Sequence, residues 1–179
     1  MSESESVEAA LPTPPEALLA RLEELGIEAR TVTHPPVFTV EEAKALRGEL
    51  PGSHIKNLFL RNKKGRMWLV TCLEDREVDL KALGQRLEAG RFSFGSAERL
   101  MTYLGVLPGS VTPFAVINDT EKQVTMVLDT GVMDAGPVNC HPLVNTMTTA
   151  VSPEDLIRFL EAEGHPPQML DMGTGATGA

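Results

Sequence analysis

The chain has 179 residues, of which 42% are apolar and 23% charged. This length and composition are typical of one globular domain, and they exclude a disordered or collagen-like chain. With 16 Lys and Arg against 25 Asp and Glu, the net charge is −9. A general polyanion binder is therefore excluded, because Lys and Arg supply the affinity for phosphate groups.

The sequence favours a cytoplasmic protein. No run approaches the roughly 18 apolar residues that a membrane span needs, and the acidic N-terminus lacks the pattern of a secretory signal. The two cysteines, Cys72 and Cys140, have no metal-ligand spacing, so we expect both thiols to be reduced. We expect one domain over residues 14–168, a disordered tail over 1–13 and a flexible Gly-rich tail over 169–179.

Five segments carry helix signals. Leucines at helical spacing predict a helix over 14–25 that ends at Gly26. Thr39 and Glu42 form a capping box that predicts a helix through about Leu46. Three further helices are predicted by their N-cap residues: Asp79 before 80–89, Ser96 before 97–104, and Ser152 before the helix that begins at Pro153 and ends at Gly164.

Apolar and β-branched runs predict the strands 29–34, 54–62, 66–73, 114–119, 123–129 and 138–145. Short connectors at Asn62–Gly65 and at Thr120–Lys122 predict two hairpins, and hairpins require antiparallel pairing. The pattern therefore predicts an α/β (mixed, α+β-like) fold with a central mixed, largely antiparallel sheet of about six or seven strands wrapped by helices.

Two polar residues interrupt the apolar strand 54–62. Alternation places Asn57 with Ile55 and Phe59 on one face, and Lys56 with Leu58 on the other. Apolar residues on both faces indicate a strand covered on both sides, where an unpaired lysine is rare. Periodicity leaves two interpretations open: Lys56 extends to solvent at the wet end of the strand, or it has a function.

Two further segments could carry chemistry. Gly109–Pro113 fits G-x-x-x-P within a loop rich in Gly and Pro, and such a loop can present backbone N–H groups to an anion or a carbonyl. His141 lies in a polar, strand-like stretch that a satisfied edge strand would equally explain. A nucleophilic dyad of Cys140 and His141 is geometrically poor, because adjacent strand residues point to opposite faces. Sequence motifs of nucleotide-dependent enzymes, zincins and α/β-hydrolases are absent.

Four segments together resemble one family, the YbaK/prolyl-tRNA-synthetase-associated editing domain. They are HPPVFTVEEA (34–43), GSHIKNLFLRNKKGRMWLVT (52–71), the Gly109–Pro113 loop followed by PFAVINDTEKQVTMVLD, and CHPLVNTMTT (140–149), in the family's order. Within the family, the chain looks most like the free-standing prolyl-tRNA editing proteins that deacylate alanyl-tRNA(Pro). The resemblance implies a reaction without metal, cofactor or covalent enzyme intermediate.

The resemblance also implies site residues. The family's strand lysine falls on Lys56, followed by Asn57, its loop on Gly109–Pro113, and its late histidine on His141. Backbone N–H groups at Gly109 and Ser110 would stabilise the oxyanion, and Lys56 would anchor the terminal phosphate or ribose. Asn57 and His141 would orient the water, the ribose hydroxyls or the substrate amine. The expected substrate-binding residues are Ser110, Val111, Thr112, Pro113, Phe38 and Leu58, although core packing is the favoured explanation for Phe38, Leu58 and the neighbouring Val37.

Three activities remain open from the sequence. The first is hydrolysis of Ala-tRNA(Pro), the second is hydrolysis of Cys-tRNA(Pro), and the third is a binding module on the same fold that does not catalyse. The expected partner is the acceptor end of mischarged tRNA(Pro), with transient contact to prolyl-tRNA synthetase or an elongation factor left open. We expect no partner in DNA or in a membrane.

The negative charge is unevenly distributed. Residues 44–66 carry seven basic groups and one acid, a local charge of +6, so the rest of the chain totals −15. A basic rim beside the site could receive the tRNA end, and a solvated hairpin tip explains Lys63 and Lys64 equally well. The candidate RNA contacts are Lys44, Arg47, Arg61, Lys63 and Lys64.

Overall fold

The computed structural model describes residues 11–36, 52–134 and 136–173. The α-helices in these ranges are α1 (Pro15–Glu24), α2 (Leu80–Arg86), α3 (Ala97–Leu104) and α4 (Pro153–Ala162). The strands are β1 (Arg30–Thr33), β2 (Ser53–Arg61), β3 (Met67–Leu73), β4 (Ser93–Phe94), β5 (Val124–Asp129), β6 (Val138–Cys140), β7 (Met147–Val151) and β8 (Gln168–Leu170). Two 3₁₀-helices span Pro113–Asn118 and Thr130–Asp134. No helix of the described ranges is long and apolar enough to cross a membrane.

The strands form one mixed sheet in the order β1-β7-β6-β2-β3-β5-β8, and β4 pairs with β2. Antiparallel pairs join β1 to β7, β2 to β3, β2 to β4 and β6 to β7. Parallel pairs join β2 to β6, β3 to β5 and β5 to β8. The predicted mixed, largely antiparallel sheet is confirmed, and it has eight strands where we expected six or seven.

Each face of the sheet has its own hydrophobic core. Face A is the side that carries Ile55, Asn57 and Phe59 of β2, and α1, α3, α4 and the first 3₁₀-helix pack on it. Face B is the side that carries Lys56, Leu58 and Leu60, covered by α2, Phe92 and Met172. The central strands β2, β3 and β5 therefore lie between two layers, as the apolar residues on both faces of 54–62 predicted.

The predicted N-caps are confirmed. The Asp79 side chain accepts from the N–H groups of Lys81 and Ala82, and the Ser96 and Ser152 hydroxyls each accept from the third residue after them. The helix after Asp79 ends at Arg86 and not at residue 89. It stops early because Glu88 adopts a positive φ of 55°, which breaks the helical hydrogen-bond pattern.

The predicted strand 114–119 is wrong, because this segment belongs to the 3₁₀-helix Pro113–Asn118. Pro113 takes the first helical position, and the Thr112 hydroxyl caps the helix by accepting from the N–H of Phe114. The hairpin expected around Thr120–Lys122 is wrong for the same reason. Its second arm, β5, pairs in parallel with β3 and β8.

The predicted strand 138–145 is too long. β6 ends at Cys140, and the chain turns through Leu143, whose φ of 73° lies in the left-handed region. It then returns antiparallel as β7, which supplies a second hairpin at another place than the one we expected. The hairpin at Asn62–Gly65 is confirmed by the pairing of β2 with β3.

Both ends of the described chain are part of the fold. Leu11 is buried, and the Thr13 hydroxyl donates to Asn118 Oδ1 over 2.6 Å. At the other end β8 reaches Leu170, and Met172 is buried on face B. Residues 11–13 and 169–173, which we expected in the tails, therefore pack against the domain. The predicted helix at 39–46 lies outside the described residues.

Candidate active site

The sheet has an opening between β2 and β6. These strands pair in parallel only at Ser53 with Val138 and at His54 with Asn139. The next partner on that edge of β2 is β4, at Leu60 and Arg61. Among the described residues no strand pairs with the edge of β2 between these positions, and we call this unpaired stretch the seam; such an edge can present its backbone groups.

Asn57 fastens the G-x-x-x-P loop to the seam. Its amide Nδ2 donates to the carbonyl oxygen of Val111 over 3.0 Å, and its Oδ1 accepts from the Thr71 hydroxyl over 2.5 Å. Thr71 is fully buried and lies opposite Asn57 on β3. Both ends of the Asn57 amide are thus engaged, which indicates that this side chain holds the loop in place.

The loop itself is tightly built. Gly109 has φ +90°, a conformation that favours glycine, and Ser110 and Thr112 are buried. The N–H of Ser110 donates to the carbonyl of Leu107 over 3.0 Å. The structure thus argues against the expected role of Ser110 as an oxyanion donor, because its N–H already has an acceptor inside the loop. Of the two expected donors, the N–H of Gly109 is therefore the one left to stabilise the oxyanion.

His141 is held in one tautomer. Its Nδ1 lies 2.9 Å from the carbonyl oxygen of Met147, and a carbonyl only accepts, so Nδ1 carries the proton. Burial lowers the pKa of His141 below 6.5, with a smaller lowering contribution from His34. The imidazole is therefore neutral at pH 7, and Nε2 carries the lone pair that can accept a proton or a hydrogen bond.

His34 is a site neighbour that the sequence reasoning did not single out. Its ring centroid lies 6.2 Å from that of His141. Its Nδ1 donates to the Pro35 carbonyl over 2.8 Å, and its Nε2 lies 2.7 Å from the Thr148 hydroxyl. Its place at the start of the HPPVFTVEEA segment was the only available signal, since the two histidines are 107 positions apart and form no local pattern.

Lys56 extends on face B towards the segment that follows β3. Its ammonium donates to the carbonyl oxygen of Arg76. Lys56 follows the β2 member of the last β2–β6 pair by two residues, and His141 follows the β6 member of that pair by two residues. Parallel register therefore brings both residues to the same end of that pairing, whereas Asn57 and the loop anchor lie on face A.

The remaining candidates divide into those that border the loop and those that do not. Val111 and Pro113 belong to the anchored loop, while Leu58 packs against the core of face B. Phe38, Lys44 and Arg47 lie outside the described residues.

Three of the expected RNA contacts lie at the far end of β2 and its hairpin. Arg61 lies five positions beyond Lys56 on the strand, which at about 3.4 Å a residue is about 17 Å. Lys63 and Lys64 are exposed at the tip, and the Arg66 guanidinium stacks 5.2 Å from the centre of the Trp68 ring. The basic surface formed by these hairpin residues thus lies beside the seam and does not surround it.

The cysteines do not contribute a reactive thiol. Cys72 and Cys140 are free and buried, and burial raises the pKa of Cys72 to about 11 and that of Cys140 further still. In the described part of the chain, no group of three or more His, Cys, Asp or Glu side chains is arranged to hold a metal ion.

Comparison with known proteins identifies the class. The model of the aminoacyl-tRNA editing domain family matches residues 34–159, so the chain belongs to that family. It is 36% identical over 158 residues to the prolyl-tRNA editing protein ProX of Acetoanaerobium sticklandii, a match that covers 88% of this chain and 96% of that one. It is 42% identical over 151 residues to the prolyl-tRNA synthetase associated domain-containing protein 1 of Danio rerio, covering 83% and 82% of the two chains.

The fold agrees with the family. A crystal structure described as a candidate trans-editing enzyme for prolyl-tRNA synthetase superposes with a TM-score of 0.69 at 20% identity, covering 89% of this chain and 96% of that one. The resemblance inferred from the four sequence segments is therefore confirmed.

Proposed function

We propose that the protein hydrolyses the aminoacyl ester of mischarged Ala-tRNA(Pro). The observation that carries this proposal is the parallel register that puts Lys56 and the neutral His141 at the same end of the β2–β6 pairing, next to the Asn57 that anchors the loop. The relative named as a prolyl-tRNA editing protein supports prolyl-tRNA as the carrier.

The proposed reaction uses water. His141 Nε2 orients the water and takes its proton as the oxygen bonds to the ester carbonyl carbon. The negative charge that grows on the carbonyl oxygen is stabilised by the N–H of Gly109. The carbon–oxygen bond to the ribose then breaks, and the ribose oxygen receives the proton that His141 took from water. The neighbouring ribose hydroxyl, which is part of the substrate, can assist this transfer.

Lys56 and Asn57 have different proposed roles. The Lys56 ammonium is a point charge suited to the terminal phosphate or to ribose oxygens. Asn57 acts on the substrate through the loop, since both ends of its amide are engaged by Val111 and Thr71. The sequence-based role of Asn57 in orienting water is therefore replaced, in this proposal, by positioning of the loop.

Alanine is the proposed amino acid on energetic grounds. A prolyl active site cannot strongly exclude the smaller alanine, because a methylene of contact is worth only about 1–3 kcal/mol. A second, smaller pocket can admit alanine and exclude proline. Cysteine is similar in size, so Cys-tRNA(Pro) is the alternative substrate.

The basic hairpin is the proposed contact for the acceptor arm. Arg61, Lys63, Lys64 and Arg66 carry four positive charges with no acid between residues 60 and 67. A distance of about 17 Å from Lys56 to Arg61 suits a backbone contact upstream of the reacting nucleotide, given the strand rise. Phosphate contacts of this kind position the substrate without reading its sequence.

The deciding experiment compares Lys56→Ala with wild type on Ala-tRNA(Pro), Cys-tRNA(Pro) and Pro-tRNA(Pro). We expect wild type to deacylate Ala-tRNA(Pro) and spare Pro-tRNA(Pro), and Lys56→Ala to lose most of this activity while keeping its fold. Lys81→Ala, which removes an exposed lysine on α2, is the matched control. Wild-type rates in Lys56→Ala would contradict the role of Lys56. Faster turnover of Cys-tRNA(Pro) than of Ala-tRNA(Pro) by wild type would select the alternative substrate. Binding of these tRNAs without turnover would identify a non-catalytic module.

A further inference from the structure

We propose that Asp129, acting through Arg76, is a positioning residue for Lys56. This inference rests on the role proposed above for Lys56. It concerns residues that lie 20 and 73 positions beyond Lys56 in the chain and that no sequence motif singled out.

The Asp129 carboxylate is a fully buried charge whose two oxygens are both engaged. Oδ2 accepts from the N–H of Leu73 over 3.2 Å and from Arg76 Nε over 3.0 Å. Oδ1 accepts from the N–H of Gly131 over 3.1 Å and from that of Met172 over 3.4 Å. A buried carboxylate is tolerated when it is paired and fully hydrogen-bonded in this way. Asp129 thereby ties the end of β3 to the segment that follows β8.

Arg76 fits closely between two glycines. A Cβ atom placed on Gly131 would lie 2.4 Å from one terminal nitrogen of the Arg76 guanidinium, and one on Gly173 would lie 2.7 Å from the other. The N–H of Arg76 also closes a turn onto the carbonyl of Leu73 over 3.1 Å. The side chain and the backbone of Arg76 are therefore both fixed.

The fixed backbone of Arg76 presents its carbonyl oxygen to the Lys56 ammonium. A free lysine side chain populates many rotamers, and ordering it when substrate arrives costs conformational entropy. A carbonyl held in place by Asp129 orders the ammonium beforehand, which is the preorganisation that a catalytic site needs. The chain Asp129–Arg76–Lys56 thus connects a buried charge to the Lys56 ammonium.

The test uses Arg76→Met and Asp129→Asn in deacylation of Ala-tRNA(Pro). Misplacement of a reacting group by about 1 Å can lower the rate by about 100-fold, so we expect kcat to fall by at least about tenfold while KM changes little. Arg86→Met is the matched control, because the Arg86 side chain also holds the segment after β8, through the Asp171 carbonyl at 2.8 Å, without contacting Arg76 or Lys56. We expect wild-type kcat from this control.

A double-mutant cycle separates positioning from general loosening of the fold. If Arg76 acts through Lys56, Arg76→Met lowers kcat in the wild-type background and has no further effect in Lys56→Ala. An equal fold-reduction in both backgrounds overturns the inference. Circular dichroism checks the fold of each variant. Because Arg76 is partly exposed, we expect Arg76→Met to fold, and it decides the test alone if Asp129→Asn does not fold.

A spectroscopic measurement gives an independent readout. In protein labelled with ¹⁵N at lysine, the ammonium of Lys56 should exchange its hydrogens slowly in wild type and rapidly in Arg76→Met, with Lys56→Arg identifying the signal. If folded Arg76→Met has the wild-type kcat and the wild-type rate of ammonium hydrogen exchange, this inference is overturned. Lys56→Ala then still tests the proposed function separately. If wild type does not deacylate any aminoacyl-tRNA(Pro), the proposed function fails and this inference fails with it.

Discussion

One hydrogen bond and burial together fix the protonation state of His141. The carbonyl of Met147 fixes the proton on Nδ1, and burial keeps the ring neutral by lowering its pKa. Nε2 is then the basic atom in every molecule at neutral pH. A neutral imidazole near its pKa is the most common general base in proteins.

The pH dependence of deacylation follows from this state of His141. Because the reaction needs the neutral ring, kcat/KM should be constant at neutral pH and fall as the pH drops through the lowered pKa, below 6.5. The measurement is kcat/KM against pH for wild type, with the His141 ring followed by NMR. A rate that stays flat while the His141 ring titrates would contradict the role of His141 as a base.

Stability should change with pH in the same direction. The unfolded chain takes up a proton at His141 near pH 6.5, whereas the folded chain does so only at a lower pH. The unfolded state therefore binds more protons in this interval, and the free energy of unfolding should fall as the pH decreases through it. Urea unfolding of wild type and His141→Gln across the interval measures this contribution, which the variant should lack.

Asn57 should affect both activity and stability when it is replaced. Asn57→Ala leaves the Val111 carbonyl and the Thr71 hydroxyl without their partner, a loss of about 1–3 kcal/mol in the free energy of unfolding. The freed loop should also lower kcat. Urea unfolding and single-turnover deacylation measure the two effects.

A matched control exists for Asn57. The amide of Asn118 makes the same pair of contacts, donating to the Leu104 carbonyl over 2.9 Å and accepting from the Thr13 hydroxyl over 2.6 Å, but away from the seam. Asn118→Ala should therefore lose similar stability and keep wild-type kcat. Equal activity in the two variants would show that the Val111 anchor has no part in the reaction.

The residues of the candidate site could be chosen from the sequence, but their contacts could not. Lys56 and Asn57 stand out as polar residues in an apolar strand, and Gly109–Pro113 as a Gly/Pro-rich loop. Which atoms meet is decided by long-range packing: Val111 contacts Asn57 across 54 residues, and Asp129 contacts Arg76 across 53. Local patterns contain no information on such contacts.

At the scale of elements, the helices were predictable because their ends carry side-chain signals. Asp79, Ser96 and Ser152 cap their helices with hydroxyl or carboxylate oxygens, a local effect that does not depend on the rest of the fold. The strand prediction for the segment 114–119 was wrong because its apolar residues are nearly all buried. A short buried run has no hydrophobic period that separates a strand from a helix. β4 and β8 were missed because they are two and three residues long.

Gly105 is an element boundary whose replacement should be costly. It ends α3 with φ +64°, and an added Cβ would lie 2.5 Å from the Asn118 amide and 2.6 Å from Pro12. Gly26, after α1, has a similar φ of +72° but open space around it. Gly105→Ala should therefore lose more than Gly26→Ala, which we expect to lose about 1 kcal/mol for the left-handed conformation alone. Equal losses in urea unfolding would contradict the packing described around Gly105.

For the whole molecule, charge is separated along the sequence between one basic segment and an acidic remainder. Residues 44–66 total +6 against −15 elsewhere. The acidic surplus should keep non-specific RNA affinity low, and the hairpin allows a local interaction that depends on salt. The proposed activity requires release of the tRNA after each turnover, and an interaction of this kind would allow it.

The basic hairpin predicts a specific change in salt dependence. Replacing Lys63 and Lys64 together by alanine should weaken tRNA binding and reduce the slope of log affinity against log salt by about 1.4, because each single-strand phosphate that a lysine neutralises adds about 0.7 to that slope. The control variant replaces both residues by arginine and keeps the charge. An unchanged slope in the alanine variant would show that the tip is a solvated turn that does not bind RNA.

The most direct test of the proposed function is single-turnover deacylation of Ala-tRNA(Pro) by the wild-type protein, with Pro-tRNA(Pro) under the same conditions. The account predicts release of alanine well above the uncatalysed rate, little release of proline, and loss of alanine release in Lys56→Ala. Uncatalysed rates on both substrates, or equal hydrolysis of both, would contradict it.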